Sequence, residues 1–303
     1  VRSKVVVFGS LNMDLVVSVP RMPQPGETLT GHGFLSNPGG KGANQAVACA
    51  RQGARVEMVG RVGADGFGAE LRTALMEQRV DGAGVLTTEG ASTGVAMIMV
   101  DDGAQNCIAV VPGANASVGL QDAEALRQRV ADAGLLLLQL EVPLPAVQRA
   151  AAIAKEAGCT VLLNPAPAQA LPEALWPLLD ILLLNETEAC MFSGLGTVDP
   201  ANAKEAAALL LRRGPRHVIV TLGEHGVVWA SAAGTRHFDA VKVQAVDTTA
   251  AGDTFIGALA ALLVEGRPME DALAHAIRAA AICVTRPGAQ ASMPSREEVQ
   301  RLG

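Results

Sequence analysis

Short, wholly apolar runs alternate with longer amphipathic ones along most of this chain, and that rhythm limits its fold more than any other feature. Leu135-Leu136-Leu137-Leu138 and Ile181-Leu182-Leu183-Leu184 carry no polar residue on either side of a pleat. A strand apolar on both faces has to be buried on both, which is the condition of a parallel sheet covered by helices on each side. The pattern predicts strands over 4–9, 55–59, 135–140, 160–163, 181–184 and 218–222. It predicts helices over 41–52, 67–79, 121–132, 201–213, 252–264, 270–284 and 295–302, with another opened by Pro145 and closed by Gly158. The chain has 303 residues, of which 50% are hydrophobic and 18% charged, enough apolar content for a large α/β core. With six Phe, two Trp and no Tyr, that core has to be built from Ala, Val, Leu and Ile. We expect one α/β domain over 1–303.

Two stretches break the rhythm. Residues 13–19 with 27–34, and 94–100 with 106–111, read as extended pairs joined by polar turns, Asp101-Asp102-Gly103 being a good hairpin turn. Such strands do not belong inside a parallel core. They predict a small separate sheet, from about 12–36 and 94–111, that serves as a lid over a site.

Composition excludes some partners. The scarcity of aromatics and the absence of a Lys/Arg run, at a net charge of −6, argue against nucleic acid. No apolar run approaches membrane-spanning length, so no membrane partner is expected. Five scattered cysteines without a Cys-x-x-Cys read as reduced thiols packed as small hydrophobes, and with a first strand that follows no leader-like segment they predict a cytoplasmic protein. The five histidines show no metal-ligand spacing.

Chemistry concentrates in a few places. In Val246-Asp247-Thr248-Thr249-Ala250-Ala251-Gly252-Asp253-Thr254-Phe255, small residues lead into an apolar helix. A helix opening without bulky side chains offers free N–H groups to an anion. Asp253 stands inside that opening. It is either a residue complementing the helix dipole or a base that deprotonates a hydroxyl attacking a phosphoryl group, while the amides take up the developing charge. Asn37-Pro38-Gly39-Gly40-Lys41-Gly42-Ala43-Asn44 is a glycine-rich approach to a helix, with Lys41 and Asn44 as donors. It is not a P-loop, because no Gly lies five residues before Gly40 and no Ser or Thr follows Lys41. Asn12 and Asp14 lie two apart in extended chain and share a face, either gripping hydroxyls of a polyol or forming a turn. Glu141, Asn185 and Thr221 each end or follow a predicted strand, as Asn12 does, so all four should face the crevice beyond the carboxyl ends of the sheet.

Taken together, Gly39-Gly40-Lys41-Gly42-Ala43-Asn44, Asn164-Pro165-Ala166-Pro167-Ala168, Asn185-Glu186-Thr187-Glu188 and Asp247–Phe255 resemble, in order, the motifs of the ribokinase/phosphofructokinase-B family of sugar kinases. The resemblance runs from about Val5 to Arg296. It implies a three-layer α/β fold, with a central, mostly parallel sheet flanked by helices, plus a small β lid that often forms a homodimer contact. It implies transfer of the γ-phosphoryl of ATP to O5 of D-ribose, with Asp253 as base and the amides of Ala250, Ala251, Gly252 and Asp253 as anion hole. Asn12, Asp14, Gly40, Lys41, Asn44 and Glu141 match sugar-binding positions. Asn185 and Glu188 match the positions that organise phosphates and Mg²⁺ through water, and Thr221, Gly223 and Gly226 match the nucleotide loop. Asp247, Thr249, Cys283, Arg286, Gly288 and Ser292 match a site for a monovalent cation, K⁺, held mostly through backbone carbonyls. Ile277 stands where ribose-specific members place a polar residue against adenine.

Other readings stand beside this one at the level of sequence. A kinase of the same family acting on fructose, deoxyribose or a nucleoside would share every motif. A non-catalytic sugar-binding protein would share the scaffold but have no need of Asp253. An oxidoreductase is disfavoured, because Gly9-Ser10-Leu11-Asn12 is not a Gly-x-Gly-x-x-Gly fingerprint.

Overall fold

A computed structural model describes residues 3–103 and 105–302. Val1, Arg2, Ala104 and Gly303, which fall within the expected 1–303 span, lie outside the described residues. The wholly buried β1 (Lys4–Phe8) leads through Gly9-Ser10-Leu11 into β2 (Asn12–Val19). β3 (Gly33–Gly39) returns to α1 (Lys41–Arg51), followed by β4 (Arg55–Gly63), α2 (Gly66–Glu77) and β5 (Val80–Thr88). β6 (Gly94–Asp101) and β7 (Asn106–Val111) precede α3 (Leu120–Val130), β8 (Ala133–Leu138), α4 (Leu144–Glu156) and β9 (Thr160–Leu163). Then come β10 (Ile181–Asn185), α5 (Glu186–Ser193), α6 (Ala203–Leu211) and β11 (His217–Thr221). β12 (Val227–Ser231), β13 (Gly234–Phe238), α7 (Ala251–Val264), α8 (Met269–Cys283) and α9 (Arg296–Arg301) complete the chain.

The large sheet has the order β13-β12-β11-β10-β9-β8-β1-β4-β5 and is parallel from β11 to β5. Its strands alternate between two cores, as doubly apolar strands require. Val5, Val7, Leu135 and Leu137 face one core with α1, α7 and α8. Val6, Phe8, Leu136 and Leu138 face the other with α3, α4 and α6. The mostly parallel sheet flanked by helices is thus the architecture expected from sequence.

Five elements differ from the sequence reading. β12 pairs antiparallel with β11, and β13 with β12, closing one edge of the sheet. β5 and α5 were not anticipated, because Asp81 to Gly84 interrupt the apolar pattern of one and the other is only eight residues long. Residues 27–32 are not a strand; the partner of β2 is β3, so the glycine-rich stretch through Gly39 is pleated rather than a loop. Cys107 on β7 is exposed, whereas Cys49, Cys159 and Cys283 are buried as expected.

The small sheet has the order β3-β2-β6-β7, with β2 parallel to β6 and the outer pairs antiparallel. β3 passes into α1 through Gly40, whose φ of 85° is left-handed and whose β-carbon would lie 2.7 Å from the Asn12 amide nitrogen. Only glycine allows both. α1 packs along α7 at Gly257, where a β-carbon would come within 2.3 Å of that of Ala48. Among the described residues no helix is long and apolar enough to cross a membrane.

Candidate active site

The carboxyl ends of the parallel strands form a row of polar residues. Thr221 ends β11 beside Asn185, which ends β10 in direct register with it. Asn164 follows β9, Gln139 and Glu141 follow β8, and Gly9-Ser10 follow β1. The polar row expected from sequence is therefore present at these strand ends, and α7 packs against β1 and β8.

Asp253 lies in the first turn of α7 and is nearly buried. Its Oδ2 accepts a hydrogen bond from Asn44 Nδ2 (3.1 Å) and its Oδ1 one from Gln45 Nε2 (2.9 Å). Both donors stand on the first turns of α1, which the contact at Gly257 holds against α7. Burial pushes the Asp253 carboxyl above the usual carboxylate range, although Lys41, Gln45 and Asn44 pull it back. The result is a carboxylate that holds a proton more readily than a surface Asp, the property wanted in a general base.

Ahead of it the backbone is strained open. Ala250 has φ 59°, a left-handed conformation rare outside glycine. That turn starts α7, where Ala251 donates to Thr248 O (3.2 Å) and Thr254 donates to Ala250 O (2.8 Å). The amides of Gly252 and Asp253 have no backbone acceptor among the described residues. A β-carbon on Gly252 would meet nothing within 4 Å, so the mouth of the turn is open. Two free amides at the positive end of a helix are a cradle for an anion.

Lys41, at the N-terminus of α1, is largely enclosed. Burial opposes its charge, but Asp253, Glu141, Glu188 and Asp14 outweigh burial and raise its pKa. Glu141 Oε2 accepts from Ser10 Oγ (2.5 Å) and from the Lys41 amide (2.9 Å), and so anchors the start of α1. Asp14 shares a face of β2 with Asn12. Burial first, then Glu141 and Asp253, push its carboxyl up to about 7. Asn12 Oδ1 accepts from Asn115 Nδ2 (2.8 Å), and Asn115 also bonds both backbone groups of Leu11.

Asn185 and Glu188 form a reciprocal cap on α5: Asn185 Oδ1 accepts from the Glu188 amide (2.9 Å) and Glu188 Oε2 from the Asn185 amide (3.0 Å). Burial raises the Glu188 pKa. Thr221 Oγ1 lies 3.5 Å from Leu184 O, and Gly223 and Gly226 take positive φ in the turn after it. Ile277 is 8% exposed and packs into the core beneath α8, so it offers a ligand little surface.

The loops at 246–249 and 283–292 are brought together. Asp247 Oδ1 and Oδ2 accept from the amides of Thr249 (2.9 Å) and Gly288 (2.8 Å). Cys283 Sγ lies 3.1 Å from Ser292 Oγ, and Ser292 Oγ donates to Ala289 O (2.7 Å). Arg286 instead turns its guanidinium to Glu298 (2.6 Å), leaving only its backbone to the loop. The described residues hold no cluster of three His, Cys, Asp or Glu side chains suited to a metal.

Sequence reasoning gave no role to the amides behind Asp253, although Asn164 opens one of the motifs quoted above. Gln45, Gln139 and Asn164 are buried, and Gln290 Nε2 donates to Asn44 Oδ1 (3.1 Å). Their partners lie up to 246 residues away in the chain, so no local pattern marks them.

Comparison with known proteins agrees with this geometry. Residues 2–296 match the profile of the pfkB family carbohydrate kinases. A ribokinase of Haemophilus influenzae is 41% identical over 297 residues, covering 98% of this chain and 97% of that one. A ribokinase of Schizosaccharomyces pombe is 44% identical over 307 residues, covering 97% and 96%. The solved structure of an Arabidopsis thaliana ribokinase complexed with ribose and ATP superposes with a TM-score of 0.91 at 34% identity, covering 99% and 98%.

Proposed function

The chain belongs to the pfkB family of carbohydrate kinases, and we propose that it transfers the γ-phosphoryl group of ATP to O5 of D-ribose, giving ribose 5-phosphate and ADP. One observation carries the chemistry: a buried carboxylate, Asp253, fixed by two side-chain amides in the first turn of a helix where, among the described residues, the amides of Gly252 and Asp253 have no backbone acceptor. Asp253 takes the proton of the 5-hydroxyl as O5 bonds to phosphorus and the bond to the ADP oxygen breaks. The amides of Gly252 and Asp253, with Ala250 and Ala251 shaping the turn, receive the phosphoryl oxygens. Ala251 itself is bonded to Thr248 O, so Gly252 and Asp253 do most of this.

Asn12, Asp14, Gly40, Lys41, Asn44 and Glu141 hold the sugar, an acceptor-rich set suited to a small polyol. Thr221, Gly223 and Gly226 form the nucleotide loop. Asn185 and Glu188 would hold Mg²⁺ with the phosphates; their mutual capping leaves one Glu188 oxygen, which fits contact through water. When bound, the ion would neutralise phosphate charge. Asp247, Thr249, Cys283, Arg286, Gly288 and Ser292 would hold K⁺. Both Asp247 oxygens already brace the loop, so the ligands there would be mainly carbonyls, a donor set that suits a monovalent ion.

The described residues form one α/β domain in which the small sheet serves as a lid over the sugar and as the contact surface of a homodimer. Five scattered cysteines without a Cys-x-x-Cys suit a reducing cytoplasm. The test is ADP release from MgATP with D-ribose, 2-deoxyribose, fructose, adenosine or no sugar, each with and without K⁺. Ribose-dependent turnover raised by K⁺ is expected. Turnover on another sugar alone would overturn the ribose assignment, and sugar binding without turnover would make the protein a binder.

A further inference from the structure

Behind Asp253 lies a chain of buried amides, with Gln45 and Gln139 0% exposed and Asn164 6%. It is anchored at a backbone carbonyl: Asn164 Nδ2 donates to Leu183 O in β10 (3.1 Å). A carbonyl can only accept, so this bond fixes which end of the Asn164 amide is which. Asn164 Oδ1 therefore faces Gln45 and accepts from Gln45 Nε2 (3.2 Å). The same Nε2 donates its other proton to Asp253 Oδ1 (2.9 Å), and Gln45 Oε1 accepts from Gln139 Nε2 (2.6 Å). Every polar atom of the Gln45 amide is committed. Turning it over would set oxygen against both Asp253 and Asn164, and nitrogen against nitrogen at Gln139.

The surroundings show that this orientation is imposed at a cost. Gln139 Oε1 has no hydrogen-bond partner among the described residues. Gly9 leaves the room for it, since a β-carbon there would lie 2.0 Å from that oxygen. Gln45 is 0% exposed. It has no exposed surface with which to touch a sugar, whereas Asn44, which meets Asp253 from the neighbouring position, is 7% exposed.

We propose that Gln45 is a positioning residue: through the fixed relay Leu183–Asn164–Gln45 it presents Asp253 with a donor that cannot become an acceptor, holding the carboxylate in its charged form and aiming Oδ2 at the hydroxyl. The inference rests on Asp253 being the base. A hydrogen bond to the ionised form favours that form, and burial works in the opposite direction. Removing the donor therefore leaves an Asp253 that is protonated over a wider pH range and freer to rotate. Converting the donor to a carboxyl sets two acids around one proton and raises the proton affinity of the pair further.

The experiment measures steady-state ADP release from MgATP and D-ribose across pH for wild type, Gln45→Met, Gln45→Glu and Asp253→Asn, with ribose binding by calorimetry and thermal unfolding alongside. Gln45→Met is expected to lower kcat about tenfold or more. The ribose KM should stay within about twofold, because the residue does not touch the sugar. The acidic limb of kcat/KM should move to higher pH in Gln45→Met and further in Gln45→Glu, which keeps the side-chain volume and an acceptor for Gln139 should the Met variant not fold. Unmoved acidic limbs in the folded variants would overturn the proposal, whether kcat is unchanged or has fallen along with stability, since the role would then be packing alone. Asp253→Asn separates the two readings. If it turns over near the wild-type rate, the base assignment itself fails. If it is inactive yet binds ribose while both Gln45 variants keep the wild-type pH profile, the base stands and the relay does not.

Discussion

At the scale of the residue, the site is a contest between burial and charge. Asp14 is pushed to about 7, first by burial and then by Glu141 and Asp253, while Lys41 opposes the shift. The unfolded chain gives it up near 3.8. Between those values the folded state binds more protons than the unfolded one, so this group makes stability fall as pH rises through the window, and the loss levels off above about 7. Asp14→Asn removes that term. Its melting temperature relative to wild type should therefore climb from pH 4 to pH 7 and stay level beyond. A difference that is flat across this range would place the Asp14 carboxyl in the ordinary range. Ribose binding should weaken in the same variant, because a carboxylate accepts from hydroxyls more strongly than an amide does. Asp253→Asn should keep sugar binding and lower turnover by about 10²–10⁴, the usual worth of a positioned base; single-turnover phosphoryl transfer with bound ribose measures it.

At the scale of the element, two helices decide whether those residues meet. α1 brings Asn44 and Gln45, α7 brings Asp253, and Gly257 sets their spacing. A β-carbon at Gly257 would lie 2.3 Å from that of Ala48 and 2.7 Å from the Cys49 amide nitrogen, which is backbone and cannot swing aside. Gly257→Ala should force the helices apart, costing about 1–3 kcal/mol of stability, with a larger loss for Val. It should lower kcat as well, since bonds of 2.9 and 3.1 Å to Asp253 do not survive a shift of that size. Chemical denaturation and turnover measured on the same protein check both. The helices themselves were legible in the sequence, because their apolar periodicity is local. So were Asp253, Lys41, Asn44 and Glu141, which sit at helix starts or just past a strand end. The relay was not legible: the Gln45–Asp253 bond joins residues 208 apart and the Gln139–Gln45 bond residues 94 apart. A buried Gln looks like any other Gln until its partners are known. β3 was misplaced for a related reason. Pro38 and Gly39 read as loop residues, yet Pro38 needs no ladder donor at the edge of the small sheet and Gly39 makes room for Asp14, whose Oδ2 would lie 2.1 Å from a β-carbon there.

At the scale of the whole molecule, the small sheet is unfinished. β7 is exposed along its full length and β3 along most of its own. In register across the four strands, Leu35, Val16, Ile98 and Ile108 form an apolar row on the face of β2 that carries Asp14. Leu35 is 60% exposed and Ile108 53%. On the opposite face Phe34, Val17, Met99 and Cys107 form a second row, with Phe34 64% exposed. A four-stranded sheet with apolar residues bare on both faces is not a stable solvent surface, and rows of this kind mark a contact with another protein. A second copy of the chain satisfies both sheets at once, since a two-fold contact needs only one self-complementary patch. Under the proposed dimer, the row next to Asp14 would make assembly and sugar binding one problem, because a copy covering it would also shield the sugar from water. Leu35→Asp combined with Ile108→Asp should therefore turn a dimer into a monomer in sedimentation velocity, raise the ribose KM, and leave the melting of the large sheet close to wild type. A wild-type chain that sediments as a monomer at every concentration would remove the second copy as the occupant of that face. A monomeric double variant with an unchanged ribose KM would keep the dimer and cut its link to the sugar.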